Sequence, residues 1–207
     1  MFSKFLSIDQ EKQDRILNAA LKEFANKGFQ KASTNEIVKE AGISKGLLFH
    51  YFNNKKDLFV FLYNHFIDLM IRDIHTKVNW EEKDIFLRYR QIAALKFELF
   101  NQYPEMFNFI KTVYKEDSPE VKGAIDQKSK ELLENGYKDL FGDVDLSKFK
   151  ENLDVEKTVN IIFWAMEGFA YRQQDKALSV DFNQDYLDEV LREMDAYCDI
   201  LRKSFYK

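Results

Sequence analysis

Ser33-Thr34-Asn35-Glu36-Ile37-Val38-Lys39-Glu40-Ala41-Gly42-Ile43-Ser44-Lys45-Gly46-Leu47-Leu48-Phe49-His50-Tyr51-Phe52 is the stretch that decides the fold. Ser33 and Glu36 stand three residues apart in capping-box form, which predicts a helix start at Ser33. That helix is short, because Gly42 follows Glu40-Ala41. Gly42 can take positive φ where the chain reverses, and Ile43 plugs the core between two helices. Ser44 then offers its hydroxyl to the first free N–H groups of the next helix, which runs from Lys45 to about Phe52 before Asn53-Asn54 breaks it. Short helices joined across a tight glycine turn make a helix-turn-helix.

The pattern outside this stretch is helical throughout. Upstream, Ile16, Leu17, Ala20, Leu21 and Phe24 recur at helical spacing over residues 9–26, and Lys27-Gly28 supplies a stop. Downstream, helices are predicted over 55–77, 84–101, 104–116, 119–140, 154–176 and 184–205, with Pro104 at a first turn. Only two prolines and seven glycines interrupt 207 residues, and no strand-like alternation of useful length occurs. The expectation is an all-α chain of about nine helices. Residues 1–54 form a three-helix helix-turn-helix domain and 55–207 a helical ligand-binding and dimerisation domain.

Charge is unevenly placed. Net charge is −4, yet residues 1–60 carry ten Lys and Arg against seven Asp and Glu, while the remainder carries 21 against 28. A basic head on an acidic body fits DNA reading by the head rather than a coat for nucleic acid along the whole chain. On the helix after the turn, Leu48 and Phe52 lie one turn apart and face inward. Lys45, Gly46, Phe49 and His50 are left on or near the opposite side. Gly46 lets a backbone approach a groove closely, Tyr51 can present a hydroxyl to phosphate, and Lys55 reaches out from the start of the following helix.

The run from Ile37 to Leu58, preceded by Ile16-Leu17-Asn18-Ala19-Ala20-Leu21 and Phe24-Ala25-Asn26-Lys27-Gly28-Phe29, resembles the N-terminal domain of the TetR (tetracycline-repressor-like) family almost position by position. The resemblance implies that Ser33, Thr34, Ser44, Lys45, Leu47, His50, Tyr51 and Lys55 face DNA; Gly46 joins these candidates through the close backbone approach it allows. Leu47 departs from the threonine that many relatives carry, so it offers a thymine methyl a contact but no hydrogen bond. The family also implies a homodimer on a palindromic double-stranded operator, most often as a repressor that a small ligand releases.

The body supplies residues for the other two roles. In Thr158 to Tyr171, apolar residues surround the helix on nearly every side, so it needs cover on two faces. Phe163, Ala165 and Gly168 there, with Leu187, Val190, Leu191, Met194, Cys198 and Leu201 on the last helix, are the expected dimerisation residues of an intermolecular four-helix bundle. The middle helices are rich in rings, and an aromatic lining suits a small hydrophobic or aromatic effector. Phe66, Phe97, Phe100, Phe107, Asn108, Asn160, Trp164 and Glu167 are the candidates.

Other classes find little footing. No Gly-rich phosphate loop, nucleophile elbow or His-Glu-x-x-His is present, so neither catalysis nor a cofactor is expected. His65 and His75 stand ten apart, which is no metal-ligand spacing. Cys198, the single cysteine, lies on an apolar stripe and fits a small hydrophobe in a reducing, cytoplasmic setting. No apolar run reaches the roughly 18 residues of a membrane span. The alternative function is a ligand-sequestering or interaction protein of the same fold without sequence-specific DNA binding.

Overall fold

Ten α-helices carry the computed structural model, which describes residues 2–177 and 183–207. They are α1 (Ser3–Leu6), α2 (Gln10–Lys31), α3 (Thr34–Ala41), α4 (Lys45–Tyr51), α5 (Lys55–Lys77), α6 (Ile85–Gln102), α7 (Pro104–Tyr114), α8 (Pro119–Phe141), α9 (Val155–Ala177) and α10 (Gln184–Phe205). No strand occurs among the described residues, and one isolated bridge joins Phe149 to Tyr206. The nine expected helices are all present, and α1 is an addition. No described helix is long and apolar enough to cross a membrane.

Two compact units divide the chain: Met1–Ile71 with Tyr103–Lys130, and Arg72–Gln102 with Glu131–Lys207. The cut falls inside α5 and α8 rather than between the predicted domains at residues 54 and 55. Helix α7 belongs with the head because its Thr112 hydroxyl donates to the Ala25 carbonyl of α2 at 2.9 Å, and its Phe109 joins the rings of Phe24 and Phe59.

In the first unit, Asp9 caps α2 by accepting from the Lys12 N–H at 2.9 Å. Ile16, Leu17, Ala20, Leu21 and Phe24 then bury the predicted face. The stop expected at Gly28 is a kink instead. Gly28 turns to φ 69°, after which one more turn reaches Lys31. Glu116 makes this break tolerable, because its carboxylate accepts from the Phe29 N–H at 2.9 Å. Phe24, Phe29 and Phe109 each meet Phe59 at 5.0–5.3 Å between ring centres. Burying one such ring contributes about 1.5–3 kcal/mol.

The second unit centres on Ile85, Phe86, Phe149, Val159, Ile162, Met166, Met194 and Cys198. Two charges are buried beside it and are fully engaged. Asp84 accepts from Lys148 and Arg202, each at 3.2 Å, and from the Phe86 N–H at 2.9 Å. Arg88, with no exposed surface, pairs with Asp143 at 2.7 Å and donates to the carbonyls of Trp80, Glu82 and Leu140.

Candidate nucleic-acid interface

The turn between α3 and α4 has the geometry its residues require. Gly42 adopts φ 65° and ψ 37°, a left-handed conformation that a side chain disfavours. The Ile43 N–H returns to the Val38 carbonyl at 3.0 Å, closing α3. Ser44, extended at φ −79° and ψ 152°, caps α4 by accepting from the Leu47 N–H at 3.2 Å. Leu48 and Phe52 are buried, which fixes the roll of α4. Lys45, Gly46 and His50 are consequently exposed, with Leu47, Phe49 and Tyr51 half-buried.

Ser33 behaves differently from the capping-box expectation. It takes the cap position of α3, but its hydroxyl makes no capping bond. Its N–H donates to Glu23 of α2 at 2.8 Å, so Glu23 replaces Glu36 as the carboxylate partner. Glu36 is left exposed, and Thr34 is half-buried. Lys55 also has internal partners: its ammonium donates to the carbonyls of Gln30 at 3.0 Å and Ala32 at 3.3 Å, over the ring of Phe29.

A support for α4 went unnoticed in the sequence. Phe5 of α1 is fully buried, edge-on to Tyr51 at 5.8 Å and against Phe52 at 4.9 Å and Phe61 at 5.4 Å. The available signal was the pair Phe2 and Phe5, three apart, ahead of the Asp9 cap.

This geometry sits inside a known family pattern: residues 16–60, from α2 into α5, match the model of the bacterial regulatory proteins of the tetR family. The chain carries a TetR-family head. The HTH-type transcriptional regulator YuxN of Bacillus subtilis is 30% identical over 127 residues, which is 61% of this chain and 42% of that protein. The chain spans less than half the length of the curated relatives it first matches. Among solved structures, a TetR-family regulator of Syntrophomonas wolfei superposes with a TM-score of 0.70 at 20% identity, covering 91% of this chain and 95% of that one. The fatty acid degradation regulator FadR of Bacillus halodurans gives 0.66 at 20% identity, with 91% and 96% covered. At such identity these structures share the fold.

Within the helical body, the structure separates the candidate effector residues. Phe66, Phe107 and Asn108 belong to the first unit; Phe97, Phe100, Asn160, Trp164 and Glu167 belong to the second. Asn108 is exposed, and Phe107 lies under the Lys111 ammonium. Asn160 accepts from the Tyr137 hydroxyl at 3.0 Å, and Glu167 lies two turns further along α9, half-buried. Trp164 lies on the outer side of α9, 65% exposed, because Ile162 and Met166 take the inner side.

The expected dimer residues divide in the same way. Ala165 and Gly168 are exposed, but Phe163 turns inward to Tyr137 at 5.1 Å and Phe141 at 6.0 Å. On α10, Met194 and Cys198 are buried in the chain's own core, with Leu191 and Leu201 packed against it; Leu187 and Val190 are half-buried. The stripe read as a dimer face is largely the inner face of its own unit. Burial pushes the Cys198 thiol up to about 11, consistent with an inert small hydrophobe.

Proposed function

We propose that the chain is a transcriptional regulator that binds a palindromic operator as a homodimer, acts as a repressor, and is released by a small hydrophobic or aromatic effector. The observation that carries this reading is the presentation of α4: capped by Ser44 and rolled by buried Leu48 and Phe52, it offers Lys45, Gly46 and His50 outward. This is how a helix must sit to enter a major groove. With Gly46 and Leu47 offering no side-chain hydrogen bond, base choice rests on Lys45, His50, apolar contact and DNA shape.

A second copy is the partner that best suits the outer faces of α9 and α10. Ile161, Trp164 and Tyr171 of α9, with Tyr197 and Ile200 of α10, are all at least 40% exposed. Ala165 and Gly168 between them allow close helix approach, so two helices from each chain suit a symmetric four-helix bundle. Two heads in such a dimer would place their α4 helices in successive major grooves about 34–36 Å apart. Titrating salt against binding to DNA from beside the gene tests the whole reading. Steep weakening with salt and preference over scrambled DNA are expected. Equal, weak binding to both sequences would instead indicate an interaction protein of this fold.

A further inference from the structure

Helix α4 is too short to hold itself. It has seven residues, with Gly46 in its first turn, and an isolated helix shorter than about 12–15 residues is marginal in water. Its place and roll therefore come from packing. Leu48 anchors its middle, and Phe52, just past its last residue, anchors the end that carries His50 and Tyr51.

The cover over that end comes from residues 2–8. Phe5 meets Phe52 at 4.9 Å and Phe61 of α5 at 5.4 Å, and Phe2 meets the same two rings at 5.5 and 4.9 Å. Phe5 is also edge-on to Tyr51 at 5.8 Å, and Tyr51 is edge-on to exposed His50 at 5.8 Å. Edge-on rings prefer a defined mutual orientation, so a fully buried ring holds the ring of Tyr51.

The covering segment is itself tied down. Gln13 of α2 is buried and donates through its amide to the Ile8 carbonyl at 2.9 Å and the Leu6 carbonyl at 3.4 Å. The N–H groups of Phe5 and Leu6 both return to the Phe2 carbonyl at 3.1 Å. This brace lies ahead of residues 16–60, the stretch that matches the family model. Phe24, Phe29 and Phe109 gather on Phe59 instead, so part of the head's core stands apart from it.

We propose that Phe5 is a positioning residue for DNA reading: residues 2–8 brace the end of α4, and Phe5 sets the Tyr51 ring so that its hydroxyl meets the phosphate backbone. The inference rests on the regulator reading above and extends its machinery to a segment ahead of the helix-turn-helix. Filling volume would require only the contacts with Phe52 and Phe61. The added contact with Tyr51 links the brace to the side that carries His50.

A double-mutant cycle on the full chain tests it, with duplex DNA from beside the gene as the probe. Phe5→Leu and Tyr51→Phe should each weaken binding about fivefold, while in the Tyr51→Phe background Phe5→Leu should cost less than about twofold. Denaturant midpoints should instead fall equally with Phe5→Leu in both backgrounds, because Tyr51→Phe keeps the ring. Coupled affinity with additive stability is a signature that simple packing does not give. Gln13→Met frees the brace without touching a ring and should repeat the pattern; if Phe5→Leu does not fold, this second cycle decides. Affinity losses that multiply, or Tyr51→Phe binding like wild type, overturn the assignment. A wild type that prefers this DNA over scrambled DNA but ignores Phe5→Leu and Gln13→Met sinks the brace alone. A wild type that binds both sequences equally and weakly sinks the regulator reading and the brace with it.

Discussion

Lys55 donates from its ammonium to the Gln30 carbonyl at 3.0 Å, fastening the first turn of α5 to the last turn of α2. The cation also lies over Phe29 and reaches the Ala32 carbonyl at 3.3 Å, so its donors are directed into the head. A phosphate contact predicts that Lys55→Met flattens the salt dependence of DNA binding by about one charge. A clamp predicts an unchanged slope, weaker binding at every salt concentration, and a loss of about 1 kcal/mol in stability from the missing charged hydrogen bond. The clamp outcome is expected. Denaturant titration and a salt series on the same variant check it.

Lys45 is the contrasting cation. It is exposed at the first position of α4. Lys45→Ala is expected to weaken binding and flatten the salt slope by about one charge per bound chain. Exposed helix positions tolerate alanine well, so the melting temperature should barely move. A slope identical to wild type would remove Lys45 from the interface.

The helix-turn-helix was legible because its signals are local. Gly42, Ser44 and the Leu48–Phe52 spacing each specify backbone or roll within a few residues, and each appears in the structure as read. The partners of Ser33 and Lys55 were not legible. Glu23 lies ten residues before Ser33 and Gln30 lies 25 before Lys55, and only the folded head brings them together. The same limit explains the helical body. An apolar stripe such as Leu191, Met194, Cys198 and Leu201 reveals that a face needs cover, but not whether the cover is this chain or another. Here α10 spends that stripe on its own core, and the faces left over carry Trp164 and Ile200.

Those leftover residues give the assembly prediction. Trp164 is 65% exposed and Ile200 62% exposed. A charge there costs the single chain little but would be buried without a partner in a dimer. Trp164→Glu combined with Ile200→Glu should convert a dimer to a monomer in sedimentation velocity, with helical content retained. Cys198→Ser, inside the chain's own core, should instead lower stability without shifting the dimer equilibrium. A double variant that still sediments as a dimer would place the interface elsewhere.

Asp84 sets an acid limit on the second unit. Burial pushes its carboxyl up, but hydrogen bonds from Lys148, Arg202 and the Leu87 N–H outweigh that and hold it below the ordinary carboxylate value. The unfolded chain returns it to about 3.9. A carboxyl lowered in the folded state contributes stability that is full above the unfolded value and is lost as pH falls through the folded one. Asp84→Asn removes the charge that Lys148 and Arg202 surround; both cations keep part of their surface in water, so the loss is about 1.5 kcal/mol. Denaturant midpoints at pH 7 should therefore fall for the variant. Between pH 5 and 2 its midpoint should decline less steeply than that of wild type, because the variant has no proton to take up at this site. Parallel curves for the two proteins across that range would show that Asp84 contributes nothing through its charge.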